Sequence, residues 1–391
     1  MFLFGYLGPF RANLLVPPDC HLPVIDLTNK KAVITGKSGK PKAHVRPLPP
    51  KSPDDLEFNI WLLAHAVKKA ECAIPMPIGA ANVSALGFVL ENSHLLNWTG
   101  GNFRLADQAI GTLDDFSQSA LAGRIGQGCC LLFMESLDYT TVSRFSSYCS
   151  NANPPIRLTH TVLNKKGKPV SVLQPTPDFV CEKSSGDRAI AESKGGFVTA
   201  NKLADVKGAL RDGLEQIGTW GDKFNPKITQ NYAVCTFLRE QSDTHVEPSL
   251  LAWVDPEGTE GAHEVPKENV WRENYAAWLE GMGYPRLSAR LRGDKTPVFA
   301  DFEVAEIGGH KVAVRSIGFY KFSDGTGAEV AVGLRLDVLW DLHNGRKPAV
   351  LENGRWRSEL GPDRGVFGSF LTDGSYLGLV HTWTHWMRME F

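Results

Sequence analysis

Between residues 156 and 254 the hydrophobic pattern changes period twice, and that alternation is what most limits the fold. Ile156 to Leu163 and Pro169 to Leu173 read as strands around the turn-rich Asn164 to Lys168, and Phe179 to Cys181 and Ala189 to Ala191 read as a second pair. Between the members of that second pair lies Ser184-Ser185-Gly186-Asp187, which has hairpin-turn chemistry. After Gly195-Gly196 the period becomes helical: Leu203, Val206, Leu210, Leu214 and Ile217 share one face of a helix predicted over Asn201 to Trp220. Strands resume at Tyr232 to Leu238 and Ser249 to Val254. The pattern predicts an α/β fold.

The flanks read differently. Residues 1 to about 100 are proline-rich and loop-rich, with a helix at Leu56 to Cys72 carrying Phe58, Trp61, Leu62, His65 and Ala66 at helical spacing. Asp114-Asp115-Phe116-Ser117 reads as a helix start, and Ala120 to Met134 continues it despite Gly123, Gly126 and Gly128. Each glycine costs about 1 kcal/mol against alanine in a helix interior, so their presence points to close backbone packing or to approach by a ligand. Asn269 to Leu291 reads as helix with a break at Gly283-Tyr284-Pro285. Val298 to Phe391 alternates β-branched and aromatic residues with turns at Gly308-Gly309, Asp324-Gly325 and Asn353-Gly354, as an antiparallel β region does. At 391 residues the chain divides into an accessory region at 1–105, a core at 106–260 and a helix-plus-β region at 261–391.

Composition excludes several classes. With 42% hydrophobic and 22% charged residues the chain is neither disordered nor fibrous, and 42 Lys+Arg against 43 Asp+Glu leave no bulk charge to attract nucleic acid or a membrane surface. The longest apolar run, Cys129 to Met134, is far below the roughly 20 residues of a membrane span. Met1 to Phe10 is apolar but lacks a basic leader and reads as part of the fold. Seven scattered cysteines without a C-x-x-C spacing predict a reducing, cytoplasmic setting.

The chemistry concentrates in Pro177-Asp178 and Glu192-Ser193-Lys194. A turn centred near Ser185 sets Asp178 directly across from Glu192, and strand alternation puts Lys194 on the face of Glu192 while Ser193 points away. Two opposed carboxylates repel unless a cation lies between them. Mg²⁺ meets that need through one or two carboxylates, waters and phosphate oxygens, with the Ser193 carbonyl as a further ligand and Mn²⁺ as a substitute. Lys194 beside the attacking water can orient or deprotonate it and offset charge on a phosphate, which describes phosphodiester hydrolysis. A hairpin with solvated charges is the competing reading.

These residues resemble the PD-(D/E)XK signature of restriction-endonuclease-like nucleases. The resemblance spans about residues 110–255. It implies a mixed sheet of about four strands flanked by helices, one before the hairpin (Ser117 to Glu135) and one after the E-x-K strand (Asn201 to Trp220). It also implies a polar or acidic residue from the first helix at the metal site; Gln127 and Glu135 are the candidates, with Gln127 favoured because glycines flank it. DNA as substrate, and a role in prokaryotic restriction-like or antiviral defence, are implied by the resemblance alone. So is the similarity of Gln216 and Trp220 to a nucleotide-contacting Gln-aromatic pair. The alternative is an inactive nuclease-like subunit that binds nucleic acid or scaffolds a complex, with a protein partner or a second copy of the chain.

Elsewhere, Lys202, Lys207 and Arg211 on the second helix can meet phosphates or form a solvated face. Seven Lys/Arg between Asn29 and Lys51 can track a nucleic-acid backbone or sit in an exposed loop. Gly36-Lys37-Ser38 lacks the upstream glycine of a phosphate loop. His381 and His385 have helical metal spacing but no third ligand, and read as part of an aromatic terminus.

Overall fold

In the computed structural model of the protein, the residues described are 18–28, 55–71, 87–88, 91–92, 94–152, 155–157, 159–163, 166–221, 230–243, 247–255, 270–321, 327–349, 367–380 and 385–391. The basic stretch 29–51, the segment 1–10, Gly36-Lys37-Ser38, the turns at 324–325 and 353–354, and His381 lie outside them.

The described part is mixed α/β. Short strands β1 (Cys20–Leu22), β2 (Val24–Asp26) and β3 (Leu56–Phe58) precede α1 (Ile60–Glu71). The pieces β4 (Leu96–Asn97), β5 (Gly101–Asn102), β6 (Arg104–Leu105) and α2 (Ala109–Thr112) then lead to the long α3 (Asp115–Ser136). Asp114 caps α3, its carboxylate accepting the Ser117 N–H at 2.7 Å. Next come β7 (Thr141–Arg144), α4 (Phe145–Asn151), the exposed hairpin β8 (Thr159–Leu163) and β9 (Pro169–Leu173), and the hairpin β10 (Phe179–Glu182) and β11 (Arg188–Val198). The series continues with α5 (Val206–Gly221), β12 (Gln230–Arg239) and β13 (Leu250–Val254).

One six-stranded mixed sheet, in the order β2-β13-β12-β11-β10-β7, organises this half. β10 runs antiparallel to both β7 and β11, whereas β11 and β12 are parallel. Parallel neighbours need a crossover, and α5 supplies it. Strand alternation sorts the side chains: Ala189 and Ala191 join the cluster that contains α3, while Ile190, Ala233 and Cys235 join Val206, Leu210, Leu214, Ile217 and Trp220 of α5. Helices therefore cover both faces.

The remainder holds α6 (Val270–Gly281), α7 (Pro285–Leu291), β14 (Phe299–Ile307), β15 (His310–Lys321), β16 (Gly327–Arg335), α8 (Leu336–His343), β17 (Phe367–Phe370), β18 (Ser375–Val380) and β19 (His385–Glu390). Its strands form an antiparallel sheet in the order β17-β18-β16-β15-β14-β19. His385 is thus in a strand, and the helical spacing considered for a metal does not arise.

Three expectations are corrected in detail. The helix expected from Asn201 begins at Val206, because Asn201 is left-handed (φ 64°) and Asp205 accepts the Gly208 N–H at 3.0 Å as the cap. The helix expected across 269–291 is two helices, α6 and α7, since Gly283 at φ 87° turns the chain between them. The helix expected from Leu56 begins at Ile60, and Leu56–Phe58 is the strand β3. β2 forms the sheet edge beside β13, and one continuous apolar cluster joins Phe58, Leu63, Leu132, Trp278, Phe302 and Leu377. Among the described residues no helix is long and apolar enough to cross a membrane.

Candidate active site

The β10–β11 register pairs Phe179 with Ala191 and Glu182 with Arg188. Continued one residue, it places Asp178 opposite Glu192, and their groups bond across the gap: the Asp178 N–H donates to Glu192 Oε2 at 3.0 Å. In return the Ser193 N–H donates to Asp178 Oδ2 at 3.0 Å. N–H and C=O of one strand residue point to the same side, so the Ser193 carbonyl also faces the β10 side.

Lys194 reaches back along its own strand face and donates to Glu192 Oε1 at 2.7 Å and to Gln216 Oε1 at 3.3 Å. Gln216 is itself fixed, because its Nε2 donates to the Thr176 carbonyl at 2.7 Å, leaving its oxygen turned to Lys194. Trp220 donates to the Pro175 carbonyl at 2.7 Å. α5 thereby clamps the segment that delivers Asp178. Trp220 is buried edge-on against Phe145, so its ring is not exposed for the nucleotide contact that the Gln-aromatic similarity implied.

From the opposite face Gln127 on α3 donates to Asp178 Oδ1 at 2.9 Å. Close packing makes that reach possible: a Cβ on Gly126 would lie 3.0 Å from the Gly195 Cα, and one on Gly195 would lie 1.9 Å from the Ala122 carbonyl oxygen. Glu135, the acidic alternative on that helix, is buried elsewhere and accepts the Thr372 hydroxyl at 2.9 Å. Lys202 lies exposed ahead of α5, Lys207 is half-buried on it, and exposed Arg211 sits 3.7 Å from Asp212.

Arg144, at the end of β7, is a component that sequence reading did not find. Its NH1 donates to Asp178 Oδ1 at 2.9 Å, and the guanidinium lies over the Phe179 ring at 5.6 Å. Nothing local marks it, since its partner is on another strand of the sheet.

Burial pushes the Glu192 carboxyl up to about 7, and the Asp178 charge adds to the rise, while Lys194 pulls the other way. Below pH 4.5 the carboxyl is protonated in folded and unfolded chains alike. Between 4.5 and about 7 the unfolded chain gives up that proton and the folded chain keeps it, so stability declines through this window and stays reduced above it. Urea unfolding of the metal-free protein is expected to trace that decline, and Glu192→Gln to flatten it. An unchanged slope in the variant would remove Glu192 as its source.

Do these groups suit a metal? Among the described residues there is no cluster of three or more His, Cys, Asp or Glu side chains. That speaks against a closed zinc site. Two carboxylates that repel each other, beside a backbone carbonyl, fit a hard oxygen-seeking ion whose other positions go to water and phosphate. Asp178, Glu192 and the Ser193 carbonyl are the groups that would hold it.

In comparisons with protein-family models, curated proteins and solved structures, nothing matches the chain.

Proposed function

We propose that the protein is a metal-dependent nuclease that hydrolyses phosphodiester bonds, with DNA as the favoured substrate and Mg²⁺, or Mn²⁺ in its place, as the ion. The observation that carries the reading is the Asp178/Glu192/Lys194 constellation across the β10–β11 hairpin. Its setting supports a restriction-endonuclease-like core: a helix before the hairpin, a mixed sheet in the order β7-β10-β11-β12, and a crossover helix after the E-x-K strand. A restriction-like or antiviral role in the cytoplasm belongs to the same proposal. Six cysteines buried as free thiols among the described residues accord with a reducing compartment.

The ion, when bound, supplies Lewis-acid polarisation of a phosphoryl oxygen and eases deprotonation of water. Asp178 and Glu192 would hold it, and Gln127 keeps the Asp178 carboxylate from rotating. Lys194, aimed by Glu192 and Gln216, orients the attacking water and offsets charge growing on the phosphate.

A second reading has its own support. Arg144 neutralises Asp178 and Lys194 neutralises Glu192 without any ion, as suits an inactive nuclease-like subunit that binds nucleic acid or scaffolds a partner. The deciding experiment incubates the full chain with supercoiled, linear and single-stranded DNA and with RNA, in Mg²⁺, Mn²⁺ or EDTA. Metal-dependent cutting that EDTA abolishes is expected. No cutting, together with no Mg²⁺ or Mn²⁺ uptake in calorimetry, would leave the scaffold reading.

A further inference from the structure

We propose that Arg144 is a resident counter-cation of the metal site, holding Asp178 Oδ1 in the metal-free protein and yielding it when a divalent ion binds. This rests on the metal-dependent reading above. Asp178 Oδ1 already accepts two hydrogen bonds, from Arg144 NH1 and Gln127 Nε2, both at 2.9 Å, and Oδ2 accepts a third from the Ser193 N–H. An ion approaching Oδ1 must displace a donor. Gln127 is neutral and Arg144 is charged, so the ion repels Arg144 alone through space.

The displaced guanidinium has somewhere to go. Arg144 lines a cavity of about 10 Å³ together with Lys69, Ser143, Asn274 and Trp278, which is room for a single water or a single guanidinium nitrogen. Asn274 is 2% exposed; its amide nitrogen donates to Asp373 Oδ2 at 2.7 Å, and its Oδ1 has no hydrogen-bond partner. Lys69 does not bar the way, because its ammonium is paired with the buried Asp373 carboxylate. A buried acceptor without a donor is costly, and Arg144 lines the same cavity as Asn274. In this proposal Arg144 exchanges its observed acceptor, Asp178 Oδ1, for Asn274 Oδ1 across the shared cavity, and the ion decides between them. It is a positioning residue in this scheme: it acts on the reaction through Asp178.

The test is calorimetric titration of the full chain with Mn²⁺ alone at pH 8, comparing wild type with Arg144→Met, Arg144→Lys and Asp178→Ala. Arg144→Met keeps an unbranched side chain of similar length and removes the competitor, so Mn²⁺ is expected to bind on the order of tenfold more tightly. Arg144→Lys keeps the charge and is expected to stay near wild type. Should the methionine variant fail to fold, Arg144→Gln, which can still donate to Asp178, is expected to bind more tightly than wild type by a smaller factor. Equal or weaker Mn²⁺ binding by the folded neutral variant overturns the proposal. If Asp178→Ala at the same time loses Mn²⁺ binding, the metal site itself stands. Failure of wild type and every variant to bind would instead bring down the metal reading, and this inference with it.

Discussion

Lys194→Met is expected to leave the protein folded and to reduce the cleavage rate by roughly 10²- to 10⁴-fold, the range that positioned proton-transfer groups contribute. The Lys194 side chain is 32% exposed and methionine nearly matches its length, so the variant loses the two hydrogen bonds at the site but little packing. Its ammonium is nonetheless the cation nearest Glu192, held at 2.7 Å. Asp178→Ala is expected to abolish cutting as well, through loss of a proposed metal ligand. Measured on plasmid DNA at matched folding, with circular dichroism as the check, the two variants test the site from both sides. If either cuts as fast as wild type, the hairpin is not where the chemistry occurs.

Wild type without activity would carry a different message when metal binding is intact. The carboxylates would then be able to hold an ion but lack a substrate surface, as in a subunit that needs a partner. Of the cations that sequence reading assigned to substrate, Lys202 and Arg211 are exposed and Lys207 is half-buried. Their replacement by alanine should weaken DNA binding without altering Mn²⁺ affinity, because none contacts Asp178 or Glu192.

What could be read from the sequence follows from locality. The hairpin register depends on one turn, so the opposition of Asp178 and Glu192 across Ser185 is visible in residue numbers. α3 and α5 announce themselves through the Asp114 cap and the spacing Val206, Leu210, Leu214 and Ile217. Arg144 is different: it reaches Asp178 because β7 pairs with β10, a contact 34 residues apart that no local signal encodes. The role of Gln216 is hidden likewise, since it depends on α5 folding back over Thr176. β2 escapes notice because three residues are too short for a period, and its partner lies beyond residue 250. Trp220 shows the opposite error. Its spacing from Gln216 resembled a functional pair, yet burial against Phe145 gives it a structural task.

The helix glycines Gly123 and Gly126, together with Gly195, make the strongest structural prediction. A Cβ at Gly195 would stand 1.9 Å from the Ala122 oxygen, 2.6 Å from its carbonyl carbon and 3.2 Å from the Gly123 nitrogen. All three are backbone atoms, so no side chain can swing aside and α3 itself must retreat. Overpacking of this kind costs about 3 kcal/mol or more, and Gly195→Ala is expected either to prevent folding or to lose at least that much. Any folded fraction would carry Gln127 away from Asp178. Gly126→Ala should be milder: its Cβ meets Gly195 and Lys194 backbone at 3.0 to 3.2 Å, and alanine's better helix propensity of about 1 kcal/mol offsets part of the strain. At Gly123 nothing lies within 4 Å, so alanine there should stabilise by about 0.5–1 kcal/mol. Urea midpoints should therefore rank Gly123→Ala above wild type, with Gly126→Ala next and Gly195→Ala far below. A Gly195→Ala protein as stable as wild type would mean that α3 does not lie on β11 at this distance, and the route by which Gln127 reaches the carboxylates would have to be abandoned.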